Sequence, residues 1–112
     1  NSKPPSPAKK TACGDLMSQN EMNRCAQDEY KKADVELNKV YQQTMAKLSP
    51  EHRQKLKTAQ LAWIPFRDAH CDCDAFIFDG GSMQPLIQFT CLESETRNRI
   101  KQLKSLAGDV NR

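Results

Sequence analysis

Residues 70–76 read His-Cys-Asp-Cys-Asp-Ala-Phe. A histidine, two thiols and two carboxylates in five positions could ligate a metal, cycle between thiol and disulfide, or belong to a disulfide framework. His70, Cys71 and Cys73 could join Cys91 around zinc, but structural zinc sites usually draw on two Cys pairs and this chain has a single Cys-x-Cys. A catalytic thiol pair is usually Cys-x-x-Cys at a helix start. Here the cysteines fall near a helix end, where the dipole disfavours thiolate. Asp72-x-Asp74 is not followed by the remaining ligands of an EF-hand loop. The favoured reading is a disulfide framework, with a Cys/His metal site as the alternative. Cys13, Cys25, Cys71, Cys73 and Cys91 in 112 residues suit an exported chain with two bridges and one odd thiol.

The elements that must position these groups are helical. From Asn20, apolar or aromatic residues recur at Met22, Ala26, Tyr30, Ala33, Leu37, Tyr41, Met45 and Leu48, in steps of three or four. This predicts one long helix over about 20–48. Ser49 then caps a second helix, with Pro50 in its first position and Glu51 at its positive end. So short a connection forces an antiparallel hairpin. Leu56, Ala59, Gln60, Trp63, Phe66 and His70 should form the inner face of the second helix, which Pro65 should kink. Gly80 and Gly81 permit a turn, Ser82 can cap a third helix, and Gly108 should stop it. The expected fold is all-α: an antiparallel three-helix bundle with disulfide staples at one end. Residues 13–112 form one domain, preceded by a disordered Pro/Lys-rich leader at 1–12.

Counting from the two turns places Cys25, Cys71 and Cys91 at one end of the bundle, with Cys13 able to fold back to them. Four cysteines allow three pairings. The level arithmetic favours Cys25–Cys71 with Cys13–Cys91, and leaves Cys73 as the unpaired thiol. Each bridge is worth ~2–4 kcal/mol. The same arithmetic sets Arg67 near Asp34 and Gln60 near Asn38. With Arg99, these polar residues on the inner face read as an interhelical network that fixes register. An acid/base pair would need a cleft that a short bundle scarcely offers. No Ser/His/Asp order, phosphate loop or paired acid/base motif emerges, so an enzyme is not expected.

The charge balance narrows the partners. Removing Lys3, Lys9 and Lys10 from the 17 basic residues leaves 14, against 14 acidic, so the body is formally neutral. A nucleic-acid binder would carry a basic stripe on its folded part, and none is expected here. The longest apolar patches, Leu61 to Phe66 and Phe76 to Phe78, fall far short of a membrane span. Local charge is more informative. Asp68, Asp72, Asp74 and Asp79 follow one another with no Lys or Arg between them, and Phe76, Ile77 and Phe78 lie within that run. Apolar residues rimmed by acids at a loop make a contact patch for a protein partner. The bland alternative tucks Phe76 and Phe78 under the bundle end.

Three stretches then resemble one family: "EMNRCAQDEYKKADVELNKVYQQ", "LKTAQLAWIPFRDAHC" and "GGSMQPLIQFTCLESETRNR". In order they carry Met22-Asn23-x-Cys25-Ala26, Ala33-Asp34-x-x-Leu37-Asn38-x-x-Tyr41, Ala59-Gln60-x-x-Trp63, Phe66-Arg67-Asp68-x-x-Cys71, Gly81-Ser82, Cys91-Leu92 and Thr96-x-x-Arg99. Over about residues 13–106 the chain is similar to the LprI-type lysozyme-inhibitor family. The resemblance implies a helical exported protein, periplasmic or secreted, that binds lysozyme. It needs no cofactor. Two positions depart from the pattern. Pro65 interrupts the Trp–Arg landmark, and Cys73 stands where a non-cysteine is expected, opening a route to a thiol-linked dimer. The chain opens at Asn1 with no apolar leader, as expected once a signal peptide has been removed. An envelope adaptor with another protein partner is the alternative function.

Overall fold

The computed structural model describes residues 13–14 and 17–110; the leader expected at 1–12 lies outside the described residues. Three helices follow in order: α1, Gln19–Ala46; α2, Pro50–Ala75; and α3, Gln84–Val110. A single 3-10 turn, Phe76–Phe78, leaves α2. The chain is an all-α three-helix bundle.

Local chemistry fixes the helix starts. Ser18 accepts from the Glu21 N–H at 3.2 Å, while the Glu21 carboxylate accepts from the Ser18 N–H at 2.8 Å, a closed capping box. These bonds hold the Glu21 carboxyl below its ordinary range. Ser49 caps α2 through the His52 N–H at 3.3 Å, with Pro50 in the first turn. Two expectations at α3 fail. The helix begins at Gln84, beyond Ser82, whose carbonyl instead accepts from Asn23 Nδ2 at 3.0 Å. Gly108 lies inside α3 and does not stop it. An exposed helix end tolerates glycine at a cost of about 1 kcal/mol relative to alanine.

The helices are not equally close. α1 and α3 run parallel as the tightest pair, α2 packs antiparallel on α3, and α2 stands further from α1. Asn23 to Ser82 and Thr44 to Leu103 share one sequence offset, so the α1–α3 register holds along the bundle. Ala26 and Ala33, almost fully buried, let those two helices approach. The apolar core occupies the α1–α2 hairpin end: Leu37, Val40, Leu48, Leu56, Ile100 and Leu103, flanked by Tyr41, Met45, Trp63 and Leu106. The opposite half buries little beyond alanines, Leu92 and cysteine.

Disulfides occupy that second half. Cys13 bonds Cys25 and Cys71 bonds Cys91, with Cα separations of 5.4 and 5.5 Å. The favoured pairing of Cys25 with Cys71 and Cys13 with Cys91 is therefore corrected. Counting levels along a hairpin assumed equal spacing of all helices. Because α2 leans on α3 and away from α1, Cys71 faces Cys91, and Cys25 is left to the segment leading into its own helix.

Removing the bridge with Cys71→Ser and Cys91→Ser should lower unfolding free energy by about 3 kcal/mol, the scale for a loop of this size. Urea unfolding followed by circular dichroism checks this. A loss below about 1 kcal/mol would show that packing alone holds α2 on α3.

Candidate functional site

The inward face of α2 mixes apolar residues with two polar ones, Gln60 and Arg67. Its buried positions are Leu56, Gln60, Arg67, Cys71 and Ala75, with Trp63 half-buried. Phe66 is 57% exposed, and Ala59 and His70 are also exposed, which corrects the expected inner face. After Trp63 the stripe steps by four to Arg67 and Cys71, a turn of about 100° away from Phe66 and His70.

Arg67 decides that rotation. Its guanidinium lies 5.5 Å from the Tyr30 ring and 5.0 Å from the Trp63 ring. Nη1 donates to the fully buried Thr96 hydroxyl at 3.4 Å, Nε donates to Asp68 at 3.0 Å, and Asp34 stands 3.9 Å away. One buried cation thus touches all three helices. Arg99 extends the layer: it lies 5.9 Å from Trp63 and donates to Gln60 and Gln102, both at 2.9 Å. Burial pulls the Arg99 guanidinium below its ordinary value. Burial is also the main reason that the Tyr30 phenol is raised above 10.0, reinforced by Asp34 and Asp68 and opposed by Arg67.

Of the expected network, Asp34, Gln60, Arg67 and Arg99 meet in this layer. Asn38 is exposed and lines a shallow α1–α2 groove of about 280 Å³ with Asp34, Gln60 and Arg67. Sequence reasoning missed Tyr30, Trp63 and Thr96 as partners of Arg67. Two signals were present: Trp63 precedes Arg67 by one helical turn, as Tyr30 precedes Asp34.

Beyond this layer α2 is tied to α3 rung by rung. Arg67 meets Thr96, Cys71 bonds Cys91, Asp72 accepts from Gln88 Nε2, and Asp79 accepts from Gln84 Nε2 at 3.2 Å. These rungs hold the connecting segment as a protruding tip. Gly80, at φ +80°, reverses the chain, and the Gly81 N–H donates to the Phe78 carbonyl at 2.9 Å. Phe78 is half-buried, but Phe76 is 70% and Ile77 81% exposed. Asp72, Asp74 and Asp79 are exposed around them, whereas Asp68 lies lower, committed to Arg67. The site is therefore an apolar point with an acidic rim on a rigid support. That arrangement suits docking against a basic protein surface.

The thiols give no metal centre. No cluster of three or more His, Cys, Asp or Glu that could hold a metal occurs among the described residues. The zinc set of the sequence reading loses Cys71 and Cys91 to their mutual bridge. His70, expected to be packed, is exposed, stacks on Phe66 at 5.7 Å and lies 3.8 Å from Glu95. Cys73 is an exposed free thiol.

Arg67→Ala should cost roughly 2–3 kcal/mol through lost ring contacts and stem packing, since both aspartates it leaves behind are half-exposed. Chemical denaturation checks this; a cost near zero would remove Arg67 from its organising role. Tyr30 carries a second test. A phenol raised on folding adds stability that is fully present below the unfolded value of 10.0 and is lost as pH rises through the folded value. In a Tyr41→Phe chain, ultraviolet titration should place the remaining phenol above 10.0 when folded, returning to it in denaturant.

The chain is 36% identical to an uncharacterized protein of Rhizobium meliloti (strain 1021), covering 84% of this chain and 77% of that protein. No solved structure matches it. Among the described residues, no helix is long and apolar enough to cross a membrane. The model of the family described as lysozyme inhibitor LprI matches residues 10–103, which include every rung of the α2–α3 ladder and the whole tip: the chain belongs to the LprI lysozyme-inhibitor family.

Proposed function

We propose that this chain is an exported binding protein that inhibits lysozyme by direct contact through the tip between α2 and α3. The observation that carries the reading is the exposure of Phe76 and Ile77 inside a run of aspartates with no Lys or Arg. Animal lysozymes are strongly basic and work on a polysaccharide held in a cleft. Ile77 and Phe76 seat on the apolar part of the cleft wall, and Asp72, Asp74 and Asp79 face its basic rim. Phe78 and Asp68 act from behind, by fixing the tip on the bundle. The bound tip excludes the polysaccharide, so inhibition needs no chemistry of its own. Two disulfides fit an oxidising compartment, periplasmic or extracellular.

Purified chain should slow lysis of a cell-wall suspension by a basic lysozyme in proportion to the molar ratio. Ile77→Ser with Asp74→Lys should weaken inhibition by about tenfold or more, since one removes a central apolar contact and the other reverses a rim charge without touching a rung. Circular dichroism should show the fold intact, as both side chains are exposed. Undiminished lysis at large molar excess of the unaltered chain would overturn the reading.

A further inference from the structure

The outward face of α2 carries a second surface. Ala59, Ala62, Phe66, Ala69, Cys73 and Phe76 alternate in steps of three and four, and all are exposed. That spacing is the a/d seam of a coiled coil. It arises because Arg67 takes the inward position after Trp63 and leaves Phe66 outside. The same helix is electrically divided. Arg53, Lys55 and Lys57 outnumber Glu51 near its start, Asp68, Asp72 and Asp74 outnumber Arg67 near its end, and no charged residue stands between Lys57 and Arg67.

We propose that this face binds a second copy of the same chain, antiparallel, with the two-fold axis crossing the seam midway between Ala62 and Phe66. In that register Phe66 of each copy lies opposite Ala62 of the other, and Ala59 opposite Ala69. A large side chain thus meets a small one at the centre of the seam, as close packing requires. The ends complement each other: Lys55 of one copy reaches the Asp72–Asp74 stretch of its partner, twice by symmetry, so the dimer competes with the proposed lysozyme contact for those carboxylates and for Phe76. A parallel pair would set lysine against lysine and aspartate against aspartate, with helix dipoles aligned. Charge thus selects the antiparallel form. It also separates the two Cys73 thiols by about 27 Å along the seam, at 1.5 Å per residue. The dimer is therefore not built on a Cys73–Cys73 bridge. Each thiol instead lies opposite Lys55 of the other copy.

The test needs the purified chain alone, without lysozyme. Sedimentation equilibrium over a rising concentration series should show the mass climbing from 12.7 kDa towards twice that value. Phe66→Lys, at an exposed site that leaves the fold intact by circular dichroism, should hold it at 12.7 kDa. Lys55→Glu should raise the dissociation constant about tenfold, and adding Asp72→Lys with Asp74→Lys should restore it. In a Lys55→Cys chain, a mild oxidant should link residue 55 of one copy to Cys73 of the other, identified by peptide mass. A mass fixed at 12.7 kDa for the unaltered chain, or a Cys73–Cys73 link as the main product, would overturn the proposal.

Discussion

A single buried cation organises this bundle. The Arg67 guanidinium could not be set among helices without partners, because an unpaired buried charge is far too costly. Its surroundings supply them from every side: the Tyr30 face from α1, Trp63 and Asp68 from α2, and the Thr96 hydroxyl from α3. The geometry that satisfies one group therefore fixes the rotation of α2 and its height against both neighbours. A greasy layer would leave sliding and rotation cheap, whereas a planar cation with directed donors does not.

Everything outward of that layer follows from the rotation. With Gln60, Arg67 and Cys71 turned in, Leu61, Phe66 and Phe76 have nowhere to go but solvent. The second half of α2 thus buries a cation and leaves Phe66 outside, and apolar surface is displayed on a helix that the disulfide clamps to α3. The division of labour along the bundle is equally physical. The hairpin end holds by burial of large aliphatic groups. The tip end, nearly devoid of them, is held by covalent and polar rungs, which leaves its aromatic residues available for contact.

The helices and most of their starts were legible in the sequence, because caps and periodicity act locally. Ser49-Pro50-Glu51 sets the start of α2 whatever surrounds it. The approach of Asp34 to Arg67 was legible too, since it follows from counting levels back from the Ser49–Pro50 turn. What could not be read was the face of α2 beyond Trp63. Hydrophobicity favours burying Phe66 over Arg67, and only the three-dimensional coincidence of Tyr30, Trp63 and Thr96 reverses that preference. The cysteine pairing was hidden for a related reason: it depends on which of two neighbours α2 leans towards, a tertiary distance absent from any local pattern. The exposed aspartates and Ile77 at the tip were visible as composition, while their protrusion depends on the rungs beneath.

The Cys71–Cys91 bridge has one more consequence, for resistance to proteolysis. A tip that displays Phe76 and Ile77 on an exposed 3-10 turn offers a protease an accessible apolar cleavage point. The bridge encloses that segment completely. A cut anywhere between Asp72 and Thr90 would leave two polypeptides still joined by sulfur, with α2 still bonded to α3 through Arg67 and Thr96. The molecule would be nicked without being dismantled.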